Sequence, residues 1–328
     1  MSETDAPPKA RWNKRGQVFD VRDHPLPFAP DGFAQSPQAL VREHDVRVYF
    51  SCRQRDVLGK FVSRVAYADF DFGFTRILRT SAKPVIAPGA PGTFDEHGIF
   101  PLSPLPVGDQ LLALTTGWTR RQSVSTDGGI GLVISHDGGE TFIRSSAGPI
   151  LSASLHEPFL VSDGFALAIN GRYHLWYIHG VRWLDSGVAG VAAERVYKIA
   201  HAVSSDLVQW QRTGRQIIRD RLNADECQAV PTVIEHGGRW HMVFCYRHAV
   251  DFRDNPAKSY RLGHASSADG VRWDRDDNDW ALPVSSQGWD ADMACYPNLF
   301  KLNGQVHLLY NGNQFGRFGF GLAVLEDT

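Results

Sequence analysis

Cysteine is scarce in this sequence, which has four in 328 residues. Cys52, Cys227, Cys245 and Cys295 lie far apart, and no two of them stand in the Cys-x-x-Cys spacing typical of zinc and redox sites. Such scattered cysteines argue against a disulfide framework and against a structural zinc centre. We therefore expect free, buried thiols, as in a cytoplasmic protein.

The sequence also lacks a long apolar segment and an excess of charge of either sign. No apolar run approaches the ~20 residues that a membrane-spanning helix needs, and the N-terminal stretch MSETDAPPKARW has no apolar core of the kind found in secretory signals. The formal net charge is −2, which argues against a nucleic-acid groove as the main functional surface. These absences predict a cytoplasmic protein that binds neither membrane nor nucleic acid.

A helical period is missing as well, and a long repeat takes its place. A short strand introduced by x-Pro, a glycine turn, an aromatic-rich strand, a small-residue strand and a Ser-x-Asp turn recur along the chain. Successive marker prolines are 64, 57, 73 and 66 residues apart. A long, nearly fixed period indicates supersecondary modules that bury their faces against their neighbours. The markers are Pro37, Pro101, Pro158, Pro231 and Pro297.

Each repeat predicts four short antiparallel strands. Aromatic and β-branched residues favour pleated strands, and the Ser-x-Asp-Gly sequences favour tight hairpin turns. Five such modules predict an all-β fold, a five-bladed β-propeller with four-stranded blades. The last module lacks an outer strand, which residues Gly16 to Val21 would supply, closing the ring and covering a sheet edge. We expect a disordered tail over residues 1–11 and a single propeller domain over residues 12–328.

In an antiparallel module, the start of the first strand and the end of the second strand lie at the same end. The repeat therefore predicts that two sets of residues lie at one end of the propeller axis. The first set is acidic and precedes the first strand of each module. Like charges crowded in a cleft raise one another's pKa, which can place a general acid beside a base. The alternative is that each carboxylate is solvated or structural. The set comprises Asp31, Asp95, Glu96, Glu157, Asp225, Glu226 and Asp292.

The second set follows the second strand of each module and is mostly basic. Guanidinium groups bind carboxylate or phosphate bidentately, so these residues predict a site for an anionic group, unless they pair with the nearby carboxylates. His97 adds an imidazole beside the acidic set, and Tyr296 adds a ring suited to stacking on a sugar. The second set comprises Arg53, Arg121, His179, Arg182, Arg247, His248, Asn313 and Arg317.

The order of x-Pro, aromatic strand, small-residue strand and Ser-x-Asp-Gly turn resembles the five-bladed propeller glycoside hydrolases of families 43, 32, 68 and 130. In family 43 an Asp-Pro opening blade one carries the catalytic base, a second Asp-Pro opens blade three, and a Glu near the start of blade four is the general acid. By that resemblance Glu226, in a Glu-Cys pair like that of family 32, corresponds to the acid, and Glu157 to the blade-three carboxylate. Blade one departs from the pattern, because Ser36 precedes Pro37 and the nearest carboxylate is Asp31.

The resemblance implies a carbohydrate-active enzyme that cleaves or transfers a glycosyl group in the central cleft. Glu226 would protonate the leaving oxygen, and Glu157 would tune the pKa of Glu226. Asp31 or Asp292 would serve as base or nucleophile. A missing blade-one base is compatible with phosphate as the nucleophile, as in the family 130 phosphorylases, so the expected partner is a small carbohydrate or a sugar phosphate. The alternative is a non-catalytic carbohydrate-binding propeller. No cofactor is expected, although a cleft of carboxylates could hold Ca²⁺.

Overall fold

The computed structural model describes residues 10–185, 187–188 and 190–326. Within them, twenty strands form five four-stranded antiparallel sheets, which confirms the predicted five-bladed propeller. Most of the predicted tail, residues 1–9, lies outside the described residues. Arg11 already belongs to the first strand, so that strand begins one residue before the predicted domain boundary.

The blades follow one another along the chain. Blade one contains β2 (Gln35–Val41), β3 (Val46–Arg55), β4 (Phe61–Phe70) and β5 (Ile77–Thr80). Blade two contains β6 (Ile99–Val107), β7 (Gln110–Arg120), β8 (Thr126–Ser135) and β9 (Ile143–Arg144). Blade three contains β10 (Val161–Ile169), β11 (Arg172–Leu184), β12 (Glu194–Ser204) and β13 (Gln211–Arg212). Blade four contains β14 (Cys227–His236), β15 (Arg239–Arg247), β16 (Arg261–Ser267) and β17 (Asp274–Arg275). Blade five contains β18 (Cys295–Leu302), β19 (Gln305–Asn311), β20 (Gly319–Glu326) and, as its outer strand, β1 (Arg11–Asp20).

The N-terminal strand closes the ring, as the sequence predicts. Strand β1 pairs antiparallel with β20 from Arg11 opposite Glu326 to Asp20 opposite Gly319. The indole of Trp12 donates to the carbonyl of Trp280 at 2.7 Å, and the two rings pack edge to face. Because Trp280 follows blade four, the first strand fastens blade five to its neighbour as well as completing it.

Neighbouring blades pack through layers of buried apolar side chains. Between blades five and one, for example, Phe19 lies 5.0 Å from Phe50 and 5.2 Å from Phe320, measured between ring centroids. All four cysteines are free and buried in these layers, as expected from their scatter. Across the described residues, no helix is long and apolar enough to span a membrane.

A bulge interrupts the strand pairing near the start of each inner strand. The register shifts there in every blade, for instance between Ser162 and Phe165 in blade three. The bulge residues of four blades have positive φ, between 48° and 56°, and in blade two Phe100 takes the equivalent place before Pro101. The four with positive φ are Ser36, Asp163, Val230 and Tyr296.

This register corrects the marker that the sequence pattern gives for blade three. The residue equivalent to Pro37, Pro101, Pro231 and Pro297 is Gly164, which follows Asp163. Pro158 lies three residues before β10 begins. With Gly164 as marker, the spacings become 64, 63, 67 and 66 residues, much more even than those based on Pro158.

Candidate active site on the propeller axis

Three of the five bulge residues, Phe100, Asp163 and Tyr296, line a cleft of about 290 Å³ on the axis, to which all five blades contribute residues. Blade one supplies Arg53, blade three Asp163 and Arg195, blade four Tyr260 and blade five Tyr296. The remaining wall is formed by Phe100, Thr116, Trp118, Ser125, Thr126, Asp127, Gly128, Leu160, Ser162, Ile178, Tyr197 and Ala229. Arginine, tyrosine and one deeply buried carboxyl therefore meet in a single concave site.

Asp163 is the buried carboxyl of this cleft, with 6% of the residue exposed. Burial raises the pKa of Asp163 from 3.8 to about 6, against the opposing effects of the Ser162 hydroxyl, the Val230 N–H and the nearby cation Arg195. Such a pKa lies close to neutrality, where a carboxyl can both give and take a proton. Strongly raised carboxyl pKa values in clefts are typical of functional sites.

The same carboxyl also braces two blades. The N–H of Val230 in blade four donates to Asp163 Oδ2 at 3.2 Å, and the Ser162 hydroxyl donates to Oδ1 at 2.6 Å. On the other side, the N–H of Asp163 donates to the hydroxyl of Thr116 in blade two at 2.7 Å. Asp163 is thus held rigidly by both neighbouring blades.

Sequence reasoning missed Asp163 because the Ser-Asp-Gly triplet there reads as a turn. Its position in the repeat would have found it. A constant spacing between Pro101 and Pro231 predicts a marker near residue 166, within two residues of Gly164, which directly follows this carboxyl.

Two guanidinium groups face the cleft without a carboxylate partner among the described residues. Arg53 donates from Nε to the Gln35 amide oxygen at 2.9 Å, and Arg195 donates to the Ser125 hydroxyl at 3.0 Å. Burial lowers the pKa of Arg53, and the positive charge of Arg195 lowers it further. Two cations that repel each other across a cleft form a site suited to an anion.

Glu226, the predicted general acid, lies outside the cleft lining and is fully buried. Its Oε1 accepts from Arg275 at 2.6 Å and from the Gln228 amide at 3.0 Å. Its Oε2 accepts from the N–H groups of Arg221 and Leu222 at 2.8 and 2.9 Å. Every acceptor site is occupied by the protein itself, an arrangement that suits a structural carboxylate.

The other three predicted catalytic carboxylates also lie off the cleft lining. Glu157 is buried, forms an ion pair with Arg212 at 2.6 Å and accepts from the Tyr177 hydroxyl. Asp31 pairs with Arg55 at 3.3 Å. Asp292 is exposed, and its N–H donates to Asn313. Catalytic roles for these residues stay predictions, which their placement does not favour.

The predicted binding residues divide between the cleft and its surroundings. Arg53 and Tyr296 line the cleft, and Arg247 lies directly behind its tyrosine wall. His97 and Arg121 line an adjoining groove of about 780 Å³ that shares Thr126 and Asp127 with the cleft.

The remaining predicted binding residues make contacts within the protein. Asp95 pairs with Arg144 at 2.6 Å, and Glu96 accepts from the Gly92 N–H at 3.0 Å. Arg182 pairs with Asp225. In the other contacts, the His248 carbonyl accepts from Arg247, the Asn313 side chain accepts from the N–H groups of Asp292 and Met293, and Arg317 lies 6.0 Å from the Phe318 ring.

His179 is buried in blade three near Glu157, and neither ring nitrogen has a hydrogen-bond partner among the described residues. Burial lowers the pKa of His179, and the negative charge of Glu157 partly opposes that effect. His179 is not part of the cleft lining. In the described part of the chain, no three His, Cys, Asp or Glu side chains gather as metal ligands would, and the suggestion of Ca²⁺ stays a prediction.

Comparison with solved structures defines the class of fold. A glycoside hydrolase superimposes with a TM-score of 0.73 at 15% identity, covering 98% of this chain and 93% of that one. A glycoside hydrolase of the GH130 family of mannoside phosphorylases gives 0.67 at 13% identity, covering 99% and 95%. A thermostable family-43 glycoside hydrolase gives 0.60 at 12% identity, covering 92% and 90%. The chain thus has the five-bladed propeller fold of these enzymes, and the predicted resemblance is confirmed at the level of fold.

Closer relatives place the chain in a protein family. It is 32% identical to the uncharacterized proteins MT1551 and Rv1502 of two Mycobacterium tuberculosis strains, over 327 residues that cover 96% of this chain and 99% of each relative. The chain belongs to the same family as these two proteins. No family model matches it.

Proposed function

We propose that this protein cleaves or forms a glycosidic bond in its axial cleft, with Asp163 as the group that exchanges a proton with the glycosidic oxygen. The observation that carries the proposal is the position of Asp163, a buried carboxyl with a pKa near 6 that faces two arginines lacking a carboxylate partner in the described chain. The likeness in fold to glycoside hydrolases and to a member of a mannoside phosphorylase family supports the same class of reaction.

Asp163 is the single carboxyl among the five bulge positions. This limits which molecule can attack the anomeric carbon in the proposed reaction. Blade one presents Ser36 at its bulge, blade four Val230 and blade five Tyr296. A glycosidase that uses water ordinarily needs two carboxyl groups, one as acid and one as base or nucleophile. Asp127, the other carboxylate of the cleft wall, is paired with Arg121.

An anionic acceptor such as phosphate removes the need for that second carboxyl. A phosphate oxygen attacks the anomeric carbon, the glycosidic C–O bond breaks, and the proton of Asp163 passes to the leaving oxygen. The products are a sugar phosphate and a free hydroxyl group. Arg53 and Arg195 supply the positive charge that would hold the phosphate, or an anionic group of the sugar.

Turnover of oligosaccharides with and without inorganic phosphate tests the proposal. We expect phosphate-dependent release of a sugar phosphate, and a loss of ~10²–10⁴-fold in kcat for Asp163→Asn, the usual range for a general acid or base. The loss should be much smaller on a p-nitrophenyl glycoside, because that leaving group needs little protonation. Asp31→Asn serves as the matched control and should retain activity. Full activity of Asp163→Asn on oligosaccharides would contradict the assignment.

A non-catalytic carbohydrate-binding propeller is the second candidate. It is favoured by the hydrogen bonds through which Asp163 braces blades three and four, since they give the carboxyl a structural role without chemistry. Binding of a saccharide by wild type and Asp163→Asn alike, with no turnover by either protein, would establish this alternative.

A further inference from the structure

Behind the tyrosine wall of the cleft lies a buried arginine that has no carboxylate partner among the described residues. Arg247 is 1% exposed. Its guanidinium donates to the carbonyls of His248 and Ala249 at 2.8 and 3.2 Å and stacks 3.5 Å from the Phe252 ring centroid. A buried guanidinium is costly unless an anion or a full set of acceptors compensates it, and here Nε has no hydrogen-bond partner in the described chain.

The arginine also donates to a pair of tyrosines that reach the cleft. Arg247 Nη2 lies 3.0 Å from the hydroxyl of Tyr197, which lies 2.6 Å from the hydroxyl of Tyr260. Both tyrosines are lining residues of the cleft. Burial raises the pKa of both Tyr197 and Tyr260, while the charge of Arg247 opposes the rise, so both phenols keep their protons near neutral pH.

The hydrogen bonds that link Arg247, Tyr197 and Tyr260 leave one phenol proton unused. Arginine can only donate, so the first contact uses an arginine proton. The contact between the two hydroxyls uses one phenol proton. Two phenols carry two protons, and the second therefore has no acceptor among the described residues. Whichever tyrosine keeps it, that residue borders the cleft.

We propose that this remaining phenol proton is donated to an anionic oxygen of the molecule bound in the cleft, and that Arg247 polarises the tyrosine pair for that purpose. Tyr197 and Tyr260 are then ligand-binding residues in the same cleft as Arg53 and Arg195. The inference rests on the anion site of the proposed function but does not depend on any reaction. Phosphate and a sugar carboxylate share the required chemistry.

Binding of two simple probes tests the inference without turnover. Calorimetric titration with inorganic phosphate and with D-glucuronate distinguishes the two sources of the anion. We expect at least one probe to bind wild type. We also expect the variant that removes the ligand-donating phenol, Tyr197→Phe or Tyr260→Phe, to raise its Kd on the order of tenfold, since hydrogen bonds to charged groups are among the stronger ones. The other single variant loses only the polarising contact and should raise Kd less. The double variant should bind about as weakly as the weaker single variant, because only one phenol proton reaches the ligand.

Tyr49→Phe is the matched control. Its hydroxyl donates to the Gly139 carbonyl at 2.7 Å, is buried and lies outside the cleft lining, so the change should lower Tm and leave Kd unaltered. Unchanged Kd values in both cleft variants, additive losses in the double variant, or no binding of either probe to wild type would overturn the inference. Binding that depends on the tyrosines without any turnover would leave it standing and refute the proposed enzyme.

Discussion

Replacing Asp163 with Asn removes a buried charge and keeps the shape of the side chain. The backbone at Asp163 has φ 56°, in the left-handed region that Asn enters as readily as Asp. The Asn oxygen can accept from the Val230 N–H, and its amide can donate to Ser162 once that hydroxyl turns. The brace between blades three and four should therefore persist in the variant.

The raised pKa of Asp163 fixes the sign and size of the effect on stability. A carboxyl whose pKa is higher in the folded chain destabilises the fold when ionised, so the penalty is complete above about pH 7, declines as the pH falls through about 6 and disappears below about 4. The difference between 3.8 and about 6 corresponds to about 3 kcal/mol, at ~1.4 kcal/mol for each pH unit. Asp163→Asn should thus be more stable than wild type by up to about 3 kcal/mol near pH 8, with little gain near pH 4.

Urea unfolding of both proteins between about pH 4 and pH 8 measures this difference. The comparison with wild type is essential because burial lowers the pKa values of His201 and His241 to about 4. These histidines destabilise either protein as the pH falls below about 6.5, and their effect cancels in the difference.

Asp290→Asn is the matched control for the Asp163 experiment. Asp290 is buried and paired with Lys14 at 2.7 Å, so its replacement should lower stability near pH 8. If Asp163→Asn were also less stable than wild type at that pH, or if its difference from wild type did not vary with pH, the reasoning would be refuted. A carboxyl that stabilises the fold when charged is a structural group, and Asp163 would lose its claim to proton transfer.

Three further predictions concern the Glu226 ion pair, the anion site and ring closure. Glu226→Gln breaks a buried pair with Arg275, which keeps its second partner Asp277, and should cost about 1.5–3 kcal/mol in urea unfolding. The kcat of the folded variant should stay at the wild-type value, and a large loss of kcat would restore Glu226 as the acid. Arg195→Gln should raise the Kd for phosphate at least tenfold and reduce the dependence of binding on salt, and an unchanged Kd would remove Arg195 from the anion site. Trp12→Ala removes the contact with Trp280 and should lower the free energy of unfolding by about 3 kcal/mol, and equal stability would show that β1 closes the ring without it.

The sequence predicts the fold well because its signals are local. The Ser-x-Asp turns form as expected, with the Ser135, Ser204 and Ser267 hydroxyls donating to the Asp side chain two residues on. Strands joined by such tight turns pair antiparallel within a blade. The N-terminal strand, which has no partner in its own repeat, covers the open edge of blade five.

The candidate site is harder to predict because it depends on contacts between distant residues. Glu226 has the loop position of a catalytic acid, but Arg275, from the outer strand of the same blade, reaches back and neutralises it. Glu157 is likewise neutralised by Arg212 from the outer strand of blade three. A loop carboxylate and a distant arginine give no sign in the sequence that they will pair. Asp163 differs, because its position can be derived from the spacing of the repeat. Pro158, which lies six residues before the true marker Gly164, directs attention to the wrong position.

The bulges explain how this frame can hold different chemistry at equivalent positions. Three of the five are braced by a side chain of an adjacent blade: the Ser36 N–H donates to Asn311 at 2.8 Å, that of Asp163 to Thr116 at 2.7 Å and that of Val230 to Asp163 at 3.2 Å. The brace holds the backbone and does not depend on the side chain that the bulge presents, so Ser, Asp and Val all occupy the strained left-handed conformation. Among the flanking carboxylates, Glu157 and Glu226 form ion pairs within their own blades. Under the proposed function, the reactivity of the cleft would therefore depend on the few residues that line it, and among the bulge residues Asp163 alone would supply a carboxyl.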